Sequence, residues 1–226
     1  MDIASAGRSV TAALYGRTRE LHRDAERTGL IADMLHGRAD RRGYVLLLRN
    51  LHPAYQALEQ GLERHRDSSI LGAMAKHQLD RAGAIRRDLD ALCGARWFNT
   101  VPMLPAGIAY LRRIEAAASG DGSLLIAHAY TRYLGDLNGG LILRRLLEKT
   151  LRLSPEQLTH YDFSGIGDVT KLKVAYREAL DQAGAAAPDV DLVIEEGAAA
   201  FACNIALSVE IQRHVAASAV AIAADT

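Results

Sequence analysis

Apolar residues recur along this chain three and four positions apart, not at every second position, which is the spacing of helices that bury one face. The spacing predicts helices over roughly residues 8–29, 40–65, 73–93, 104–119, 123–150, 168–183 and 189–216. In the first, Val10, Leu14 and Leu21 are polar-flanked apolar positions and Gly29 is a stop. Pro53 falls inside the second and is expected to kink it, because proline lacks an amide donor and clashes with the preceding turn. ARWFNTVPMLP reads as the loop between the third and fourth helices, LSPEQLTHYDFSGIGD as that between the fifth and sixth, and GAAAP (184–188) as a short linker. Asp168 and Asp189 are N-cap candidates. With strand signals nearly absent and no internal repeat, the expectation is one all-α domain over 1–226, its core at about 10–216.

Composition narrows the class. The chain has 226 residues, enough for one sizeable core, and its 49% hydrophobic and 24% charged residues are the balance of a soluble globule. Lys plus Arg equals Asp plus Glu, 27 each, which removes the basic surface of a non-specific nucleic-acid binder. Cys93 and Cys203 are far apart and outside any CxxC pattern, so neither a disulfide framework nor a zinc site is expected. The beginning has no long apolar run, and SAVAIAADT at the end is too short and polar to cross a bilayer. The expected location is the cytoplasm, with no membrane partner.

One segment breaks the rules of its own helix. AYTRYLGDLNGGLILRRLLEKTL (129–151) has helical periodicity, yet Gly135, Gly139 and Gly140 sit in its middle. Each mid-helix glycine costs up to about 1 kcal/mol against alanine. Gly135 and Gly139 lie four apart on one face, where missing Cβ atoms let a flat object, or equally another helix, approach the backbone. Asp136 sits beside that opening, either ordering water there or as a solvated surface charge.

YTRYLGDLNGG (130–140) resembles the distal-helix signature of the heme oxygenase family, and other segments resemble that family in order. RELHRDAERTG is similar to its proximal segment and RGYVLLLRNLHPAYQALE to its second helix, while FSGIGDVTKLKVAYREAL and IEEGAAAFACNIAL are similar to its C-terminal part. The resemblance spans about residues 10–212 and implies a single-domain helical bundle that holds heme between a proximal and a kinked distal helix.

It also implies residue roles. His22 matches the axial iron ligand, and Glu26, one turn on, is placed to accept a hydrogen bond from its other ring nitrogen. Asp136 matches the residue that organises distal water, and Tyr55, Arg132 and Asn204 match members of its network. Arg19, Lys173 and Arg177 match cations for the heme propionates, Tyr130 a hydroxyl donor to them, and Phe201 an apolar wall. Three positions depart from the pattern. Tyr15 stands where the family has a further cation, Asn138 where serine is commoner, and Leu141 where glutamine is usual.

The implied reaction converts heme, as both substrate and cofactor, to biliverdin, carbon monoxide and ferrous iron with O2 and external electrons. The chain carries no glycine fingerprint for a nicotinamide and is expected to bind no flavin, so a ferredoxin or a reductase is the implied donor. The rival readings are a non-catalytic heme carrier or sensor on the same fold, a thiamin-degrading enzyme on a similar scaffold, and a diiron carboxylate protein. The last needs paired Glu-x-x-His motifs, and none occurs with inward spacing.

Overall fold

In the computed structural model, which describes residues 9–77 and 79–224, every regular element is helical. The chain runs through α1 (Val10–Arg27), α2 (Gly29–Leu35), α3 (Arg41–Arg64), α4 (Gly72–Ala75), α5 (Arg81–Cys93), α6 (Trp97–Thr100) and α7 (Pro105–Ala117). It continues through α8 (Leu125–Ala129), a π-helical turn (Tyr130–Leu134), α9 (Gly135–Leu151), α10 (Val169–Ala186) and α11 (Val190–Ala224). Side-chain caps fix several starts. Ser9 accepts the Ala12 amide, Asp40 that of Gly43, Asp168 those of Thr170 and Lys171, and Asp189 that of Leu192. Both aspartates expected to cap do so.

Several boundaries differ from the periodicity. The first predicted helix is α1, which ends at Arg27 because Thr28 is extended and Gly29 turns the chain with φ +64°; α2 follows in a stretch where the spacing predicts no helix. A Cβ on Gly29 would lie 2.5 Å from the Ser208 backbone, so the break also lets α11 approach closely. The predicted 73–93 helix divides into α4 and α5 at Asp80, whose φ of +46° is left-handed. The supposed linker at 184–188 is largely helix, since Gly184 to Ala186 close α10 and Gly184 packs on Val10. Both long loops hold structure that alternation and spacing do not reveal: α6 in one, and 3₁₀ turns at Pro155–Gln157, Thr159–Tyr161 and Ser164–Ile166 in the other. Pro53 lies inside α3, whose helical span runs unbroken across it.

The core has α3 at its centre, packed on α5 and α7, with Leu48, Ala54, Tyr55, Leu58 and Leu62 fully buried. α11 lies along α1, α2, α3, α7 and α8. Its Val190–Ser218 stretch is long and apolar enough to cross a bilayer by length and composition, and its buried Val193, Ala200, Leu207 and Ile211 instead meet these helices. Cys93 and Cys203 are both free.

The distal segment is helical from Leu125 to Leu151. α8 and α9 are joined through the π turn with helical backbone angles at both junctions. A π turn widens the helix by one residue and re-aims the side chains that follow it. Asp136 is the second residue after that turn.

Candidate functional site

Asp136 is buried, only 8% exposed, which removes the reading of a solvated surface charge. The Tyr55 hydroxyl, brought in by α3, donates to its Oδ2 at 2.5 Å. His160 Nε2 stands 3.7 Å from its Oδ1. Burial pushes the Asp136 carboxyl up to about 6, opposed by the Arg132 charge, the Tyr55 hydrogen bond and Arg81. Burial and the neighbouring carboxylate push Tyr55 well above the usual phenol range, so it remains a donor. The Arg132 guanidinium lies 5.8 Å from the Tyr55 ring centre, with its Nε enclosed and unpartnered. Tyr55, Arg132 and Asp136 thus form one buried cluster. Asn204 stands beside it, donating to the Ala200 carbonyl at 2.8 Å and to the Tyr110 hydroxyl at 3.4 Å.

The three glycines separate into two kinds. A Cβ on Gly135 or on Gly139 would meet nothing within 4 Å, whereas one on Gly140 would come within 3.0 Å of the Tyr161 ring. Gly140 admits a packed aromatic. Gly135 and Gly139 admit no other helix, and they leave bare backbone facing open space next to Asp136.

His22 is exposed on α1, its ring 5.8 Å from that of Phe201 on α11. Its Nδ1 is 3.6 Å from Glu26 Oε1, close but beyond hydrogen-bond length. At the start of the π turn, the half-buried Tyr130 has its hydroxyl beside Thr18 of α1, Arg177 of α10 and Tyr15. Burial raises that hydroxyl's pKa, while Thr18 and Arg177 oppose the rise. Lys173 is half-buried one turn before Arg177. Arg19 is exposed, with Nε 3.5 Å from Glu20, and joins neither group. Leu141 is exposed on α9 beside exposed Ile142.

Sequence reasoning missed three buried polar constellations. His160 lies in a segment read as loop. Glu196 of α11 accepts from Arg113 Nε and Nη2, each at 2.7 Å, and pairs with His128 Nε2 at 2.8 Å, tying α11 to α7 and α8. Asp88 and Arg81 of α5 clamp the turn that carries His160. A signal for His128 was its position inside the apolar run LLIAHA; composition held none for the other two. Among the described residues no three His, Cys, Asp or Glu side chains converge, so a diiron carboxylate protein has no cage here. The residues fit heme instead: an accessible imidazole, a helix face stripped of Cβ atoms with open space before it, and a Tyr–Arg pair at one end.

Comparison with known proteins gives a consistent result. The family model described as heme oxygenase matches residues 8–210. Heme oxygenase 1 of a Nostoc species is 34% identical over 199 residues, covering 88% of this chain and 84% of the relative. The human heme oxygenase 1 is 36% identical over 203 residues, covering 88% and 70%. Among solved structures, heme oxygenase-1 from a Synechocystis species in complex with heme superposes with a TM-score of 0.86 at 28% identity, covering 96% of this chain and 99% of that one. The heme oxygenase of Leptospira interrogans gives 0.82 at 29% identity, covering 90% and 100%.

Proposed function

The chain belongs to the heme oxygenase family, and from that membership we infer that it opens heme oxidatively to biliverdin, carbon monoxide and ferrous iron. Heme is at once substrate and prosthetic group, and when bound it supplies the iron at which O2 is activated. The observation that carries the reading is the Cβ-free face at Gly135 and Gly139, open to 4 Å, directly beside the buried Asp136–Tyr55 pair.

The residues divide the work by position. His22 would hold the iron from α1, and Glu26 would orient it by accepting from the other ring nitrogen after a small side-chain adjustment. Phe201 closes the apolar wall beside that imidazole. Gly135 and Gly139 would let a flat macrocycle come close to the helix backbone. Asp136, ionised above about pH 6, accepts from Tyr55 and would accept from water as well, holding a proton beside bound heme. Arg132 keeps its charge beside that carboxylate despite burial, and Asn204 extends the network through Tyr110. Tyr130, Arg177 and Lys173 receive the propionates, with Arg19 at the rim of α1.

Electrons come from a ferredoxin or a reductase, drawn to the basic residues around the opening by electrostatic steering. The reaction takes place in the cytoplasm. The test mixes purified protein with hemin and ascorbate in air and follows the spectrum. Loss of the Soret band with growth of broad red absorption is expected. A Soret band that persists would make the protein a carrier.

A further inference from the structure

His160 lies against the distal carboxylate, yet none of the roles above uses it. Its position is built by two side chains of α5. Asp88 of α5 accepts the Thr159 amide at 2.7 Å, the His160 amide at 2.9 Å and the Thr159 hydroxyl at 2.6 Å. Arg81, from the same helix, donates through Nη1 to the carbonyls of His160 at 3.1 Å and Asp162 at 2.9 Å. Two opposite charges thus grip one short turn and fix where its histidine points. The imidazole is 1% exposed and meets Tyr55 edge-on at 5.2 Å and Tyr161 at 4.5 Å between ring centres. Nε2 faces Asp136 Oδ1 at 3.7 Å, and Nδ1 is enclosed without a partner.

The charge state follows from the surroundings. Burial, with the Arg81 and Arg132 charges, pushes His160 well below its ordinary pKa, so the ring is neutral and has one proton for two nitrogens. Facing it are Asp136 from α9, Tyr55 from α3, Arg81 from α5, Arg132 from the π turn and Tyr161 from its own turn. A buried N–H without an acceptor is rarer and costlier than an idle lone pair. The proton therefore belongs on the nitrogen that faces the carboxylate.

We propose that His160 is a positioning residue for the distal carboxylate: its imidazole carries the proton on Nε2 and, with a small side-chain shift that closes the 3.7 Å separation to hydrogen-bond length, donates to Oδ1 of Asp136, while Tyr55 donates to Oδ2. The inference rests on the reading of Asp136 as the acid–base group of the heme cleft. Each carboxylate oxygen has two lone pairs, so one on each stays free for water in the cleft. Donors on both oxygens set the plane of the carboxylate and favour its ionised form against burial.

The test begins on heme-free protein, which needs no turnover. Nitrogen-15 NMR of the unsubstituted protein at neutral pH is expected to show the Nε2–H tautomer at His160. Carbon-13 titration of the Asp136 carboxyl is expected to move upward by about one pH unit in H160F, which keeps the ring volume but donates nothing. H160Q, whose amide can reach the same oxygen, should titrate close to the parent. Loaded with hemin, H160F should bind as tightly as the parent and turn over about ten-fold more slowly, with H160Q recovering most of the rate. An Nδ1–H tautomer in the unsubstituted protein, or an unmoved Asp136 titration in H160F, overturns the proposal. Full biliverdin production by D136N would instead overturn the role given to Asp136, whatever the titration shows, so the two failures are told apart.

Discussion

Asp136 illustrates how one buried side chain trades stability for chemistry. The folded protein takes up its proton near pH 6, the unfolded chain near the ordinary 3.8. Between those values the folded state holds the extra proton, so this group makes stability fall as pH rises from about 4 to 6, and the loss persists above 6. Heme-free Asp136→Asn should therefore be more stable than the parent at pH 7–8, by on the order of 2 kcal/mol, with the gain fading below pH 4. Urea denaturation across that range measures it. The same variant should bind hemin normally and lose most biliverdin production. Turnover of the parent should rise through about pH 6 as the carboxyl ionises. His22→Ala should abolish turnover and weaken hemin uptake in a Soret titration, with added imidazole restoring the bound spectrum.

At the scale of elements, the distal segment makes opposite forecasts for two kinds of glycine in one run. Gly135→Ala and Gly139→Ala place a methyl in open space, so each should stabilise the heme-free protein by up to about 1 kcal/mol. Gly139→Leu should leave the fold intact and block hemin uptake, read as a lost Soret band on titration. Gly140→Leu should lower the melting temperature, because Tyr161 already occupies that space.

The same segment shows what the residues reveal in advance. Its helical span and its bare face were legible, because period and composition record both, whereas the role read for Asp136 came from the family resemblance. The π turn was not legible, since one extra residue in a helical turn leaves the apolar spacing almost unchanged. His160 was invisible for a different reason. Its place depends on Asp88 and Arg81, more than seventy residues away, and no local pattern encodes a clamp between α5 and a 3₁₀ turn. The break at Asp80 likewise needed a left-handed residue that periodicity does not mark.

Across the whole molecule, α1 is held by partners from the other end of the chain. Val10 fits against Gly184 of α10, Leu14 against Gly197 of α11, and Arg17 pairs with Glu195 at 2.8 Å. A methyl on Gly184 would sit 2.4 Å from Val10 Cβ, an atom next to the backbone that has little room to yield. Gly184→Ala is thus expected to destabilise by on the order of 1–3 kcal/mol, seen as a lower urea midpoint, although alanine is the better helix former. His22 stands on this same helix, so the variant should also loosen hemin binding at temperatures well below its unfolding transition. Hydrogen exchange over α1 would report the loosening.

That long-range anchoring has a consequence for synthesis. The partner surface of the His22 helix, on α11, emerges from the ribosome some 180 residues after it, a delay of roughly ten to forty seconds at ordinary elongation rates. Until then the nascent chain has an imidazole without a wall behind it. If His22 holds the macrocycle, the capacity to grip it is acquired only once α11 has been made, which would spare the unfinished polypeptide from capturing a redox-active pigment it could not yet enclose.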